Sequence, residues 1–379
     1  MSTTLPQDSA LVLGTLRASI NEIDQNILQL LARRGEVARE VGLAKRLTGL
    51  PLFDAEREHG HKDALVLQGK QLGLPGQAVR ALYDVLARLG VAAQVPLSHE
   101  PSRPRLTPPD SEDFRLARAE PGRPQTRVQV GEVEFGSGIF EVIAGPCAVE
   151  SEAQIEAAAD HCRAAGVRLM RGGCFKPRTS PHAFQGHGLT ALNWLERAAR
   201  RRGMAIVTEV LEPADVAPVA EKADMLQVGA RNMQNAPLLR GCARTGRPVL
   251  LKRGAGSSLR ELLCAAEYML AEGNPQVVLC ERGIRTFETA TRNTLDLSAV
   301  PSLRELTHLP VIVDPSHAAG RDEIVHALCR GAWGVGADGV IVEMHPRREE
   351  ALSDKRQALT PHQLAEITGG LQGVEVWEA

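Results

Sequence analysis

Leu13, Leu16, Ile20, Ile23, Ile27, Leu30, Val37 and Val41 recur at intervals of three, four or seven residues, the seam of an amphipathic helix. No proline interrupts residues 7–50, so the pattern predicts a first helix of about 35 residues, roughly 50 Å long. Pro51 ends it, and the pattern resumes in a second helix from about Ala55 to Leu72 and a third from about Pro75 to Ala93. Three helices, one of them this long, cannot bury such a seam among themselves, which predicts a homodimer through this part of the chain. Residues 95–125 hold seven prolines (96, 101, 104, 108, 109, 121 and 124) among mixed charges and read as a linker.

Beyond the linker the period changes. Short β-rich runs alternate with helical stretches: EVIAG (141–145), VRLMRG (167–172), MAIVTEV (204–210), MLQVG (225–229), PVLLKR (248–253), QVVLCERG (276–283), PVIVDPSH (310–317) and GVIVEMH (339–345). Eight such runs with helical connections predict a (β/α)8 TIM barrel, an α/β fold, preceded by a small β-hairpin in the alternating, glycine-containing stretch 127–141. A doubly wound open sheet competes, but its glycine fingerprint is missing after the first run, where GPCAVE stands. The expected domains are an all-α three-helix unit over 1–94, a Pro-rich linker over 95–125 and the barrel over 126–379.

Composition narrows the class. With 43% hydrophobic and 24% charged residues, the 379-residue chain has enough apolar material for packed cores, which excludes wholesale disorder. The formal charge, 44 − 46 = −2, gives no basic excess for nucleic acid or an anionic membrane. No apolar run reaches the roughly 18–20 residues of a membrane span, and MSTTLPQDSA lacks the basic-then-apolar order of a secretory signal. Seven scattered cysteines without a C-x-x-C pair suit reduced thiols, so a cytoplasmic protein is expected.

In a barrel, chemistry gathers at the carboxyl ends of the strands. Here those ends carry Cys147, Arg171 with Lys176 and Arg178 beyond it, Glu209, Arg231, Lys252, Arg253, Glu281, Arg282, His317, Glu343 and His345. Arg171, Lys176, Arg178, Arg231, Lys252 and Arg282 would converge on one mouth in a nearly neutral protein, which implies a polyanionic substrate with more than one phosphate. Cys147, His317 and Glu343, with Asp354 in reach from the loop after the last strand, form a set suited to a divalent Mn, Fe, Co, Zn or Cu ion. Spacing alone leaves open that Cys147 is a small core residue and His317 a hydrogen-bonded structural histidine.

The motifs IAGPCAVES (143–151), RGGCFKPRTSPHAFQG (171–186), QVGARNMQN (227–235), VLLKRG (249–254), LCERGIRTFETATRNTLDLSAVP (279–301), VDPSH (313–317), VEMHP (342–346) and ALSD (351–354), in that order, resemble 3-deoxy-D-arabino-heptulosonate 7-phosphate (DAHP) synthase of the type I beta-like kind over about residues 127–370. The resemblance implies condensation of phosphoenolpyruvate with erythrose 4-phosphate, the first step of the shikimate pathway, with a divalent metal, Mn2+ first, on Cys147, His317, Glu343 and Asp354. It gives Lys176, Ala230, Arg231, Lys252 and Arg282 to phosphoenolpyruvate with Arg171 close by, gives Arg178, Thr179 and Ser180 to the erythrose phosphate, and leaves Glu209 to orient a water. The nearest related activity uses arabinose 5-phosphate to make a 3-deoxy-octulosonate 8-phosphate, and KPRTS (176–180) looks like the erythrose-phosphate version.

LRASINEIDQNILQLLARRGEVAREVGLAK (16–45) followed by FDAERE (53–58) is similar to the all-helical chorismate mutases. Helix geometry agrees in part: Arg34 and Lys45, 11 residues apart, share a face about 16 Å apart, whereas Arg17 points about 100° away. The family resolves this by donating that arginine from the partner subunit. The resemblance implies a mutase site of Arg17, Arg34, Lys45, Asp54, Arg57, Glu58 and Gln94, with Gly90 where many relatives carry serine. The helical part would rearrange chorismate to prephenate, or be a purely regulatory module sensing these metabolites for feedback on the barrel; a homodimer is expected, with barrel contacts able to raise it to a tetramer.

Overall fold

The structure, a computed structural model, describes residues 7–48, 55–94, 111–176, 180 and 182–376. The chain divides into two compact units, residues 1–104 and 105–379.

The first unit is three helices, α1 (Gln7–Thr48), α2 (Ala55–Gln71) and α3 (Gly76–Gln94), close to the expected spans. α3 packs on both α1 and α2, burying Val66 and Tyr83, and Tyr83 meets His61 edge to face at 5.6 Å. Among the described residues much of the α1 seam is uncovered: Leu16, Ile20 and Ile23 are each 56% exposed, and Ile27, Leu30 and Val37 about half or more.

The second unit opens with a strap. Residues 111–125, half of the stretch read as linker, are packed on the barrel because their backbone finds partners there. The Glu267 carboxylate accepts from Leu116 and Ala117 N–H, Thr307 donates to the Ala117 carbonyl, and Phe114 and Ala117 are buried. Strands β1 (Val128–Val130) and β2 (Val133–Phe135) then form the expected hairpin, whose two-residue turn begins with Gly131 at φ +59°, as the primed turns require.

Strands β3 (Glu141–Gly145), β4 (Leu169–Arg171), β5 (Ala205–Val210), β6 (Met225–Val228), β7 (Val249–Lys252), β8 (Val277–Glu281), β9 (Val311–Val313) and β10 (Gly339–Glu343) close into a parallel barrel in which β10 pairs with β3. The connections carry α4 (Glu152–Ala164), α5 (Gly188–Arg200), α6 (Val216–Ala220), α7 (Ala236–Arg244), α8 (Leu259–Ala271), α9 (Ala299–Leu306), α10 (Pro315–Ala319), α11 (Val325–Gly334) and, after β10, α12 (Pro361–Leu371).

The strands read as unbroken apolar runs because both faces are buried. Val142, Ala144, Leu226, Val249, Leu251, Val340 and Val342 face the helices, while Ile143, Leu169, Val207, Met225, Leu250, Val278, Ile312 and Ile341 fill the interior. Val128, Val130, Val133 and Phe135 of the hairpin join that interior cluster, and the Gly131 turn sits against Ala205 at the start of β5. The hairpin therefore plugs the amino-terminal end, leaving the carboxyl end as the open mouth. None of the described helices is long and apolar enough to cross a membrane.

Candidate active site

Side chains alternate along a strand, so the residue two positions past each interior apolar residue also points inward, one layer nearer the mouth. Leu169 is followed in this way by Arg171, Val207 by Glu209, Met225 by Gln227, Leu250 by Lys252, Cys280 by Arg282, Ile312 by Asp314 and Ile341 by Glu343. The apolar interior stops at one level around the barrel, and the next layer is polar. In β3 that position is Gly145. Its φ of +150° and the Arg171 carbonyl, which would lie 2.0 Å from an added Cβ, admit only glycine, and the chain then turns to present Cys147.

Three adjacent strands, β9, β10 and β3, thereby bring His317, Glu343 and Cys147 together, and the loop after β10 adds Asp354. One donor atom from each lies within 4.8 Å of all the others. Cys147 Sγ is 3.1 Å from Asp354 Oδ2, and His317 Nε2 is 3.3 Å from Glu343 Oε1 and 4.0 Å from Asp354 Oδ2. Glu343 Oε1 is also 3.1 Å from an Arg171 nitrogen, yet it is a buried acceptor with no hydrogen-bond donor aligned on it among the described residues. Asp354 has φ +50°, the single positive value among the described non-glycine residues. A thiol, an imidazole and two carboxylates converging on one point, with an unsatisfied carboxylate oxygen aimed into it, fit a divalent transition ion.

Surrounding side chains hold these four in place. Asp314, fully buried, places Oδ2 2.7 Å from His317 Nδ1 and 2.5 Å from Lys252 Nζ, and its Oδ1 accepts from His317 N–H at 3.0 Å as the cap of α10. Gln357 donates to Glu343 Oε2 at 2.6 Å, and Arg292 donates to Asp354 Oδ1 and Gln357 Oε1 at 3.1 and 3.2 Å. Lys176 Nζ is 3.0 Å from Cys147 Sγ. Burial, with the Glu343 carboxylate, pushes the Cys147 thiol up to about 12. Burial works against ionisation of Asp354 as well, but His317 and Arg292 override it and hold that carboxyl at about 2.

Beside the cluster lies a cavity of about 760 Å³. Arg171, Lys176, Arg231, Lys252 and Arg282 line it, with Glu209, Ala230 and Ser180, so five of the six expected cations meet there. Arg178 and Thr179 lie outside the described residues. Arg285 and Arg292 also line it and were not anticipated; both stand in RTFETATRNT (285–294), a polar loop with no periodicity to mark it. Arg171 Nε and NH1 are buried with no hydrogen-bond partner among the described residues, two donor atoms on a residue that lines the cavity. Other strand-end groups belong elsewhere. Arg253 pairs with Glu281 at 2.9 Å and Asp296 at 3.0 Å, which ties two loops together, and His345 faces Glu150 rather than the ligand cluster.

In the helical unit, Arg17 is exposed, whereas Arg34 and Lys45 are half-buried on α1. Arg34 donates to the Leu86 carbonyl at 2.6 Å, and its NH1 would lie 3.1 Å from a Cβ added at Gly90, so a serine there would crowd the guanidinium. Asp54 and the side chains of Arg57, Glu58 and Gln94 lie outside the described residues.

A parallel barrel whose mouth sets a thiol, an imidazole and two carboxylates beside a cation-lined cavity has the class of site that suits a divalent ion and anionic ligands. Its particular family follows from comparison with known proteins. Residues 123–376 match the DAHP synthetase I family and residues 16–95 match Chorismate mutase type II; the chain belongs to the DAHP synthetase I family and carries a chorismate mutase type II domain at its amino-terminal side. A phospho-2-dehydro-3-deoxyheptonate aldolase of Thermotoga maritima is 50% identical over 246 residues, 65% of this chain and 73% of that protein. The crystal structure of the Thermotoga maritima enzyme, a DAHP synthase, superposes with a TM-score of 0.65 at 48% identity, covering 67% of this chain and 75% of that one. A 2-dehydro-3-deoxyphosphooctonate aldolase of Magnetococcus marinus is more distant, 32% identical over 268 residues, 65% of this chain and 92% of that protein.

Proposed function

We propose that the barrel condenses phosphoenolpyruvate with erythrose 4-phosphate to DAHP and phosphate in the cytoplasm, with water entering at C2 of phosphoenolpyruvate, and that the helical unit binds chorismate and prephenate, rearranging the first to the second and reporting both to the barrel. The observation that carries the barrel reading is Arg171, a buried guanidinium with two unpartnered donors, set between the four-donor cluster and four further cations. A divalent ion held by Cys147, His317, Glu343 and Asp354 would supply Lewis-acid polarisation of the aldehyde oxygen.

The remaining work falls to the chain. Lys176, Arg231, Lys252 and Arg282 hold the phosphate and carboxylate of phosphoenolpyruvate, neutralising charges that would otherwise repel the second anion. Ser180, with Arg178 and Thr179, takes the phosphate of the aldose. Glu209 lines the same cavity and orients the attacking water. The 50% identity to the heptonate enzyme, against 32% to the octonate enzyme, favours erythrose 4-phosphate over arabinose 5-phosphate. Loss of phosphoenolpyruvate absorbance with Mn2+ and erythrose 4-phosphate, abolished by chelator, tests this; loss with arabinose 5-phosphate alone would overturn it. Mn2+, Co2+, Fe2+, Zn2+ and Cu2+ all suit the donor set.

Because the Cys147 thiol stands at about 12 without an ion, coordination as thiolate must expel its proton. Metal binding near neutral pH is expected to release about one proton per ion, and apparent affinity to fall about tenfold for each pH unit of acidification. Indicator titration in weak buffer checks this, and an ion that binds without proton release would remove Cys147 from the ligand set.

In the helical unit, Arg34 and Lys45 bind the carboxylates, with Arg57 beside them and Arg17 supplied by a second copy. The uncovered α1 seam supports that homodimer, and barrel contacts would extend it to a tetramer. The rearrangement is pericyclic and needs charge stabilisation rather than an acid–base pair. Deleting residues 1–94 is expected to remove both mutase turnover and inhibition of the barrel by prephenate or chorismate. Inhibition that survives the deletion would place the sensor elsewhere.

A further inference from the structure

Glu150 stands three residues past Cys147, and its side chain is 9% exposed. Its Oε1 accepts the Leu352 N–H at 2.8 Å, two residues before Asp354. Its backbone carbonyl lies 3.1 Å from Nε2 of His187, at the start of α5. Its Oε2 is 3.5 Å from Nε2 of His345, two residues past Glu343. His345 Nδ1 accepts the Arg347 N–H at 3.1 Å, so the ring proton sits on Nε2, which is buried, faces Glu150 and has no hydrogen-bond partner among the described residues. One residue thus ties the loop after β3 to the loops after β4 and β10.

The loop after β10 needs such a tie. It brings Asp354 to the cluster from a stretch in which Leu352 is 58% exposed. Asp354 itself holds φ +50°, a conformation that a non-glycine residue keeps only when its surroundings over-determine it. Arg292 grips Asp354 from one side, and Ser353 Oγ reaches Cys147 Sγ at 3.1 Å from the other. Upstream, the Glu150 carboxylate is the acceptor that fixes the backbone.

We propose that Glu150 is a positioning residue: by holding the Leu352 N–H and facing His345, it sets Asp354 in register with Cys147 and so determines how tightly the divalent ion is bound. The proposal rests on reading Cys147, His317, Glu343 and Asp354 as the metal site. It differs from that reading in placing part of the metal affinity in a carboxylate that does not touch the ion.

Co2+ titration of the metal-free full chain, followed by thiolate–cobalt absorption, separates the two. Glu150→Ala is expected to lower Co2+ affinity about 10–100-fold, the usual cost of losing a group that orients ligands. Glu150→Gln, which keeps an acceptor for Leu352 N–H, should recover most of that loss. Leu352→Pro removes the donor at the other end, and Ala351 at ψ 129° already suits a residue before proline, so this variant should weaken Co2+ binding too. The double variant Glu150→Ala/Leu352→Pro should bind no worse than the weaker single one. Phosphoenolpyruvate binding to the metal-free variants should stay native, which a collapsed mouth would not allow. Native Co2+ affinity in both Glu150→Ala and Leu352→Pro overturns the proposal; if Glu150→Ala does not fold, Leu352→Pro decides alone. A Co2+ titration unchanged between the native chain and Cys147→Ala would instead sink the metal site itself.

Discussion

Cys147→Ala is expected to lose metal-dependent condensation by about three orders of magnitude or more, and to bind no Mn2+ at concentrations that saturate the native chain. Lewis-acid stabilisation amounts to several kcal/mol, and each 1.36 kcal/mol is about tenfold in rate. Geometry makes Cys147 hard to replace. It is buried, enters from β3 opposite the Glu343 of β10, and its sulfur already lies within hydrogen-bond distance of Asp354. Alanine leaves an imidazole and two carboxylates with a gap on the β3 side, where the described residues place no further His, Cys, Asp or Glu to replace the thiolate. The fold should survive, because the change deletes one sulfur atom from a small side chain; a loss of about 1 kcal/mol would shift the unfolding midpoint by about 2–4 °C. Activity and metal content near those of the native enzyme would rule out the ligand assignment.

How much of this was legible in the sequence depends on which physical rule wrote each part. The eight strands are short apolar runs bounded by breaks in pattern, and all eight lie where the sequence placed them, to within four residues at each end. The polar layer above the apolar interior was legible for the same reason. Once Leu250 or Ile341 is assigned inward, period two dictates that Lys252 and Glu343 follow it into the mouth. The three helices were legible from apolar periodicity between proline breaks, and most of the α1 seam among the described residues is exposed, as its width suggested.

Residues on irregular backbone were not legible in this way. Arg285 and Arg292 reach the cavity from a loop whose path no periodicity records. Residues 111–125 end a stretch with the proline content of a linker, but partners far away in sequence, such as the Glu267 carboxylate and the Thr307 hydroxyl, show that the segment is docked. Arg253 and Glu281 had the right strand-end positions for the site yet satisfy each other. Position at a strand end marks candidates; whether a charge is spent on a neighbour or left for a ligand is a property of the three-dimensional contacts.

Asp314 shows the converse, a residue visible in VDPSH whose role emerges only from its contacts in the fold. Its Oδ2 is shared between His317 Nδ1 and Lys252 Nζ, so one carboxylate faces both the proposed metal ligand and the cation proposed to hold phosphoenolpyruvate. Burial opposes its ionisation, but the His317 and Lys252 charges override that and hold its pKa well below the ordinary carboxylate range. Since the folded value is depressed, its contribution to stability is fully present above the unfolded pKa of about 3.9 and is lost only as pH falls toward the lower folded value. At neutral pH the charge is therefore in place. Asp314→Asn keeps the volume and an oxygen for capping α10, but replaces the charged oxygen by an NH2 group that faces a lysine ammonium and a histidine nitrogen. Breaking a buried pair from one side costs about 3–5 kcal/mol of stability, and losing a ligand-orienting carboxylate costs about 10–100-fold in metal affinity. The expected signature is a joint one: weaker Mn2+ binding and a higher KM for phosphoenolpyruvate from a single substitution, with the KM for erythrose 4-phosphate moving less. Titration of the metal-free variant with Mn2+, beside steady-state kinetics at saturating metal, measures both. A variant impaired toward only one of the two ligands would show that Asp314 serves His317 or Lys252, and that the shared contact carries no coupling between them.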